Sequence, residues 1–166
     1  MLSIGRHTYY FENIHSRYNA NIEVGNFTSI APDCVCIGGG EHSWQIDNNV
    51  VSNFPFKEFG WGDYVENTDT GKIDIGNDVW LGERVTLIGN IKIGDGAIIG
   101  YGSVISKDIP AYAVVVGNPP KIKKYRYSQY IIDRLLKIKW WYWEDDVIKQ
   151  RLPDFLDINK FVKKYE

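Results

Sequence analysis

The stretch IGNDVWLGERVTLIGNIKIGDGAIIGYGSVISKDIP, from Ile75 to Pro110, decides the fold. Cut in sixes, every block opens on an aliphatic residue: Ile75, Leu81, Leu87, Ile93, Ile99 and Ile105. Glycine takes the second place in four of the six blocks. The fifth place holds Val79, Val85, Ile91, Ala97, Ser103 and Ile109, all small or aliphatic. An amphipathic helix repeats its apolar residues at i, i+3, i+4 and i+7, which this spacing does not match. A plain strand alternates, but asks for no glycine after the aliphatic. A short strand followed by a tight corner satisfies both positions. The aliphatic points inward, the fifth residue fills the corner, and glycine relieves crowding where the chain turns. Three units close one triangular coil, and coils stack at the strand spacing of about 4.8 Å. The expected architecture is a parallel β-helix with an aliphatic ladder inside.

The same phase runs upstream in VGNFTS and IAPDCV, from Val24 and Ile30, with Cys36 next in step; Ile4-Gly5 is a weaker, isolated start. Between Cys36 and Ile75 the rhythm fails, and an insertion of about residues 39–71 is expected. Its six aromatics, Trp44, Phe54, Phe56, Phe59, Trp61 and Tyr64, argue for an ordered functional excursion over a disordered one. After Pro110 the hexads dissolve, and GNPPK (Gly117–Lys121) reads as a turn out of the coil. Ile131, Ile132, Leu135, Leu136 and Ile138 recur at helical spacing, with Ser128 as N-cap. Further helices are expected over Glu144 to Leu152 and after Asp157. The domain reading is a coil over residues 1–120 and a helical extension over 121–166 packing on it.

The 166 residues are 44% hydrophobic and 24% charged, with net charge −2, a balance that points away from nucleic acid or an anionic membrane as the main partner. No leader pattern and no apolar run of spanning length occur, so a cytoplasmic protein with no membrane span is expected. Cys34 and Cys36 are one residue apart, at inward hexad positions, and read as small buried hydrophobes. Only His7, His15 and His42 exist, and none falls among the C-terminal hexads, where a zinc enzyme built on such coils would need three. No metal is expected.

The motifs EHSWQ and SNFPF in the excursion, IGNDVWLGERVTL, IGYGSVISKDIPAYAVVVGNPPKIKKYRY and the tail LLKIKWWYW together resemble the hexapeptide-repeat acyltransferases. Within them they are similar to the xenobiotic acetyltransferase branch, which includes type B chloramphenicol and streptogramin acetyltransferases and many sugar O-acetyltransferases. The resemblance covers about Val24 to the C-terminus. It implies left-handed coiling, a homotrimer with active sites between subunits, and acetyl-CoA as co-substrate. Carried over position by position, His42 is the catalytic base and Trp80 lies near the pantetheine arm, where trimer packing is the other reading. Glu83 and Tyr101 occupy corners whose main-chain groups meet the pantetheine amides. Ser106 and Lys107 touch the cofactor, and Lys121 and Lys124 stand near its phosphates. Tyr101 replaces a residue that is usually small, and Pro120 replaces the usual alanine.

The residues suit that chemistry. A hydroxyl attacking a thioester must lose its proton, and histidine, with pKa near 6.5, is matched to taking it at neutral pH. Lys107, Lys121, Lys123, Lys124 and Arg126 supply positive charge for phosphates, with a solvated surface as the plain reading of some of them. Trp44, Phe54 and Phe56 offer ring faces to an acceptor, with the excursion's own small core as the other reading of the two phenylalanines. The expected activity is O-acetylation of a sugar of a bacterial surface polysaccharide or its precursor. An antibiotic hydroxyl, an amino-sugar nitrogen and a non-catalytic scaffold are the alternatives.

Overall fold

The structure, a computed structural model, describes residues 1–17, 20–38, 51–52, 54, 56–62 and 71–166. His42 and Trp44 lie outside the described residues. The chain winds as successive coils whose strands fall in turn into three sheets, with isolated bridges in place of strands at Tyr9 and Ile109. Sheet A orders β1 (Leu2–Ile4), β3 (Asn21–Val24), β6 (Lys72–Ile75) and β9 (Ile91–Ile93). Sheet B orders β4 (Ser29–Ile30), β7 (Trp80–Leu81), β10 (Ile98–Ile99) and β12 (Ala113–Val116), then β13 (Lys121–Tyr125). Sheet C orders β2 (Ile14–Arg17), β5 (Cys34–Ile37), β8 (Thr86–Ile88) and β11 (Val104–Ile105). All pairings are parallel except β12 with β13.

The hexads explain this. Opening residues Ile75, Leu81, Leu87, Ile93, Ile99 and Ile105 are no more than 3% exposed, and all six fifth-place residues are buried too. Burying each aliphatic contributes about 1.5–3 kcal/mol against leaving it in water. Cys34 and Cys36 hold inward places in the same core, and burial raises both thiols, Cys36 to about 12. Two buried hydroxyls find carbonyl partners: Thr28 Oγ1 donates to the Gly76 carbonyl at 2.9 Å and Ser103 Oγ to that of Gly100 at 2.6 Å. Ile73 pairs with Ile91, so one coil there takes three hexads. Ile22 pairs with Ile73, a far longer step along the chain. The surplus is the excursion, which departs between β5 of sheet C and β6 of sheet A.

The corner from sheet A to sheet B carries a side-chain ladder. Asn26 Oδ1 accepts from Arg6 N (2.9 Å), Asn77 Oδ1 from Asn26 N (2.8 Å) and Asp95 Oδ1 from Asn77 N (2.8 Å). The next residue in each coil, His7, Phe27, Asp78, Gly96 and Tyr112, has positive φ. Asparagine and aspartate suit such corners because their short side chains bond neighbouring backbone.

Down this corner runs the tail: α1 (Gln129–Ile138), α2 (Asp145–Arg151) and α3 (Ile158–Tyr165). It forms a second core around Ile131, Ile132, Leu135, Trp141, Phe161 and Val162, closed by Tyr112 and Phe27 from the coil. Trp140 meets Phe27 at 5.0 Å between centroids, Asn26 Nδ2 donates to the Trp141 carbonyl at 3.1 Å, and Arg6 reaches Asp145 at 2.6 Å. The tail therefore touches the first coil as well as the last.

Three details depart from the sequence reading. Lys121–Tyr125, expected to open the helical extension, instead form β13, because backbone pairing with the exposed edge of β12 satisfies their amides. Ser128 precedes α1 without a capping side-chain bond. Residues 1–17, of which only Ile4-Gly5 was legible, form a whole coil, with Tyr9 bridging Ser29.

Candidate active site

Trp80 stands on the outward row of sheet B, in register with Ser29 on one side and Ile98 on the other. The row continues through Val114 to Lys124 on β13. Trp80 is 53% exposed, and Lys121 and Lys124 are exposed. The inward row beside it, Ile30, Leu81, Ile99 and Val115, is buried throughout. Strand alternation thus presents the indole and the lysines on one face.

Glu83 and Tyr101 occupy the corner from sheet B to sheet C in consecutive coils. The Glu83 carbonyl accepts from Gly102 N at 2.9 Å, and Arg84 Nη1 donates to the Tyr101 hydroxyl at 3.2 Å. Tyr101 is 63% exposed, so its ring projects beyond the corner. Ser106 and Lys107 are exposed at the corner from sheet C back to sheet A, since Ile105 belongs to β11 and Ile109 bridges Ile93. The excursion leaves from this same corner in an earlier coil. Within one chain, then, Trp80, Glu83, Tyr101, Lys121 and Lys124 border one side of sheet C. Ser106, Lys107 and the root of the excursion border the other.

The outward faces differ in chemistry. Sheet A presents Ser3, Glu23, Asp74 and Lys92 in one row, with Lys72 bridging Glu23 at 3.2 Å and Asp74 at 3.0 Å. Sheet C presents Val35, Thr86 and Val104 in one row, with Ile37 beside Ile88, all half-buried, and β2 extends these rows with the exposed His15 and Arg17. In the excursion, Phe54 and Phe56 gather with Phe59 and Trp61. Phe54 lies 5.0 Å from both other phenylalanine rings, and Phe56 lies 5.8 Å from Trp61. Phe54, Phe59 and Trp61 remain exposed.

Arg126 leaves the set of free cations. Its Nη1 donates to Asp78 Oδ2 at 2.9 Å and to the Gly96 carbonyl at 2.8 Å. Sequence reasoning missed this pair, for nothing in KYRY names a partner 48 residues back along the chain. A cavity of about 170 Å³ lies beside it, with Asp78 and Tyr112 on the coil side and Trp140 and Phe155 on the tail side. No residue assigned to cofactor or acceptor lines it. Among the described residues no cluster of histidine, cysteine and carboxylates could hold a metal, and no helix is long and apolar enough to cross a membrane.

Comparison with known proteins places this geometry. Residues 72–107 match the family model "Bacterial transferase hexapeptide (six repeats)". A chloramphenicol acetyltransferase of Morganella morganii is 32% identical over 179 residues, covering 96% of this chain and 84% of that protein. A probable macrolide acetyltransferase of Lysinibacillus sphaericus is 35% identical over 153 residues, covering 86% and 83%. Among solved structures, a hexapeptide-repeat-containing acetyltransferase from Vibrio cholerae, complexed with acetyl-CoA, superposes at a TM-score of 0.58 with 23% identity, over 76% of this chain and 61% of that one. That likeness is one of fold.

Proposed function

This chain belongs to the hexapeptide-repeat acetyltransferases, and from that premise we propose that it transfers an acetyl group from acetyl-CoA to an acceptor hydroxyl, with His42 as general base. The relatedness to a named acetyltransferase over 96% of the chain is the observation that carries this reading, and the EHSWQ motif supplies the candidate base. The coil is left-handed in this proposal. The protein is a cytoplasmic homotrimer of coil domains (residues 1–120) bearing tails (121–166). Its cleft lies between neighbouring copies. The split of the assigned residues across sheet C supports that placement: one copy offers Trp80, Glu83, Tyr101, Lys121 and Lys124, and the next offers Ser106, Lys107 and the excursion. Beyond His15 and Arg17 at its β2 end, the outward face of sheet C is mainly aliphatic (Val35, Ile37, Ile88 and Val104) and suits burial against a second copy, whereas the charged row of sheet A suits water.

In the cleft the His42 imidazole takes the acceptor proton as the oxygen attacks the thioester carbonyl. The tetrahedral oxyanion is stabilised by a backbone N–H at a coil corner. Its collapse breaks the carbon–sulfur bond, and the departing thiolate takes the proton from the imidazolium. The lysines of β13 bind the nucleotide phosphates, and Trp80 flanks the pantetheine. Trp44, Phe54 and Phe56 line the acceptor pocket. The exposed ring faces of Phe54, Phe59 and Trp61 suit the apolar faces of a sugar, here a unit of a surface polysaccharide or its precursor. A second reading, an antibiotic hydroxyl, is favoured by the names of the relatives at 32% and 35% identity.

Thiol release from acetyl-CoA against a panel of sugars, chloramphenicol and macrolides tests the reading. His42→Ala should lower turnover of the accepted substrate by about 10²–10⁴-fold. Full turnover in that variant removes His42 from the base role, and no thiol release with any acceptor removes the activity.

A further inference from the structure

We propose that Arg126 is a positioning residue for the cofactor: its ion pair with Asp78 fixes the register of β13 and so sets where Lys121 and Lys124 present their charges. This rests on the phosphate-binding reading of those lysines given above.

The case begins with how little else holds β13 in register. It is an edge strand, bonded to β12 on one side only, and all five of its residues are exposed. Its pairing carries an irregularity, Lys124 opposite Val114 but Ile122 opposite Val115, so Lys123 has no opposite residue. Register is strongly specified where a strand has a face to bury, and β13 has none. A slip of one residue would turn Lys121 and Lys124 to the other face.

Arg126 follows directly and is anchored on every side. Its backbone N donates to the Tyr112 carbonyl at 2.8 Å. Its Nη1 joins the Asp78 carboxylate and the Gly96 carbonyl, one coil apart. Its guanidinium sits 5.4 Å from the ring centroids of both Tyr112 and Tyr127. The side chains of the pair are only 24% and 27% exposed. A largely desolvated ion pair is weak evidence for stability, and its best-attested service is to fix register. In line with that cost, burial raises the Asp78 carboxyl despite the guanidinium beside it. Asp78 also lies just before Trp80 in the chain, so the pair ties the lysine-bearing strand to the strand that carries the indole.

The test compares acetyl-CoA with S-acetyl-pantetheine, a donor without the nucleotide and its phosphates. Arg126→Gln should raise KM for acetyl-CoA about tenfold with kcat within about twofold, a loss of binding without loss of chemistry. KM for S-acetyl-pantetheine should not change. Asp78→Asn, which breaks the pair from the coil side, should show the same donor-specific effect, and Arg126→Lys should recover part of the loss. In a Lys121→Ala/Lys124→Ala background, Arg126→Gln should add nothing. Equal losses with both donors, effects additive with the lysine pair, or an unchanged KM would each overturn the inference. If the double lysine variant keeps wild-type KM for acetyl-CoA, the phosphate reading itself falls, and the inference with it.

Discussion

Val24 and Ile75 lie opposite each other in neighbouring parallel strands although the whole excursion separates them in sequence, while Ile75 finds Ile93 only three hexads on. The coil thus closes beneath the excursion as though the extra chain were absent. Removing residues 39–71 leaves Ile37, Gly38, Lys72, Ile73 and Asp74 between Cys36 and Ile75, which restores the hexad step. This deletion should fold, with the β-type circular dichroism of the full chain. It should lose acetyl transfer, measured as thiol release, because the proposed base goes with it.

The second hexad place should resist any side chain where coils meet. A Cβ on Gly76 would stand 2.7 Å from Asp95 Oδ1 and 2.8 Å from Asp95 N, and one on Gly25 would stand 2.6 Å from the Gly76 carbonyl carbon. Neither glycine has positive φ, so the constraint is close approach of coils. Gly76→Ala should destabilise by about 1–3 kcal/mol, the usual cost of forcing extra volume into a packed site. A lowered melting temperature with the fold retained is the expected result.

The two thiols should be inert in the native protein. With Cys36 raised to about 12, its thiolate at pH 8 is about 10³-fold scarcer than that of an ordinary cysteine. Alkylation at pH 8 should label neither Cys34 nor Cys36 until denaturant is added. Replacing both by alanine should leave kcat unchanged. Rapid native labelling would show that the inward column opens readily.

The tail should weaken in acid. The His7 hydrogen bond, with Arg6 and Lys149 nearby, holds the Asp145 carboxyl below its usual range. A lowered folded-state pKa contributes stability above the unfolded value of about 3.9 and loses it as pH falls through the folded one. Asp145→Asn should therefore melt below wild type at pH 6, and the gap should close as pH falls past about 4 and lower. A gap independent of pH would mean that the contact acts by shape alone.

The hexads were legible because one period governs the inward residues from Val24 to Cys36 and again from Ile75 to Ile109, and their aliphatics answer to burial alone. The first coil was not, since Leu2 pairs with Ile22 and Ile14 with Cys34, a longer step than three hexads, and only Ile4-Gly5 keeps the motif. The strand at Lys121–Tyr125 was hidden because a strand exposed on both faces has no hydrophobic alternation to betray it. Of the candidate site, Trp80 and the two lysines could be named from motif, but their placement on one face follows from the register of β7, β10, β12 and β13. The Arg126–Asp78 pair is a product of the stacking, and no local pattern announces it. His42 and Trp44 rest on sequence alone.

The tail's contact with the first coil bears on how the chain is made. Stacked repeats gain stability from nearest neighbours and can fray from either end. Here Trp140, Trp141 and Asp145 secure Arg6, His7, Asn26 and Phe27, which leave the ribosome long before them. Coils can stack in the order of synthesis, but this one stays without its clasp until Trp140 to Asp145 have been made. A nascent chain arrested before Trp140 would carry that coil unclasped, and synthesis through Asp145 would lock a segment made much earlier in place.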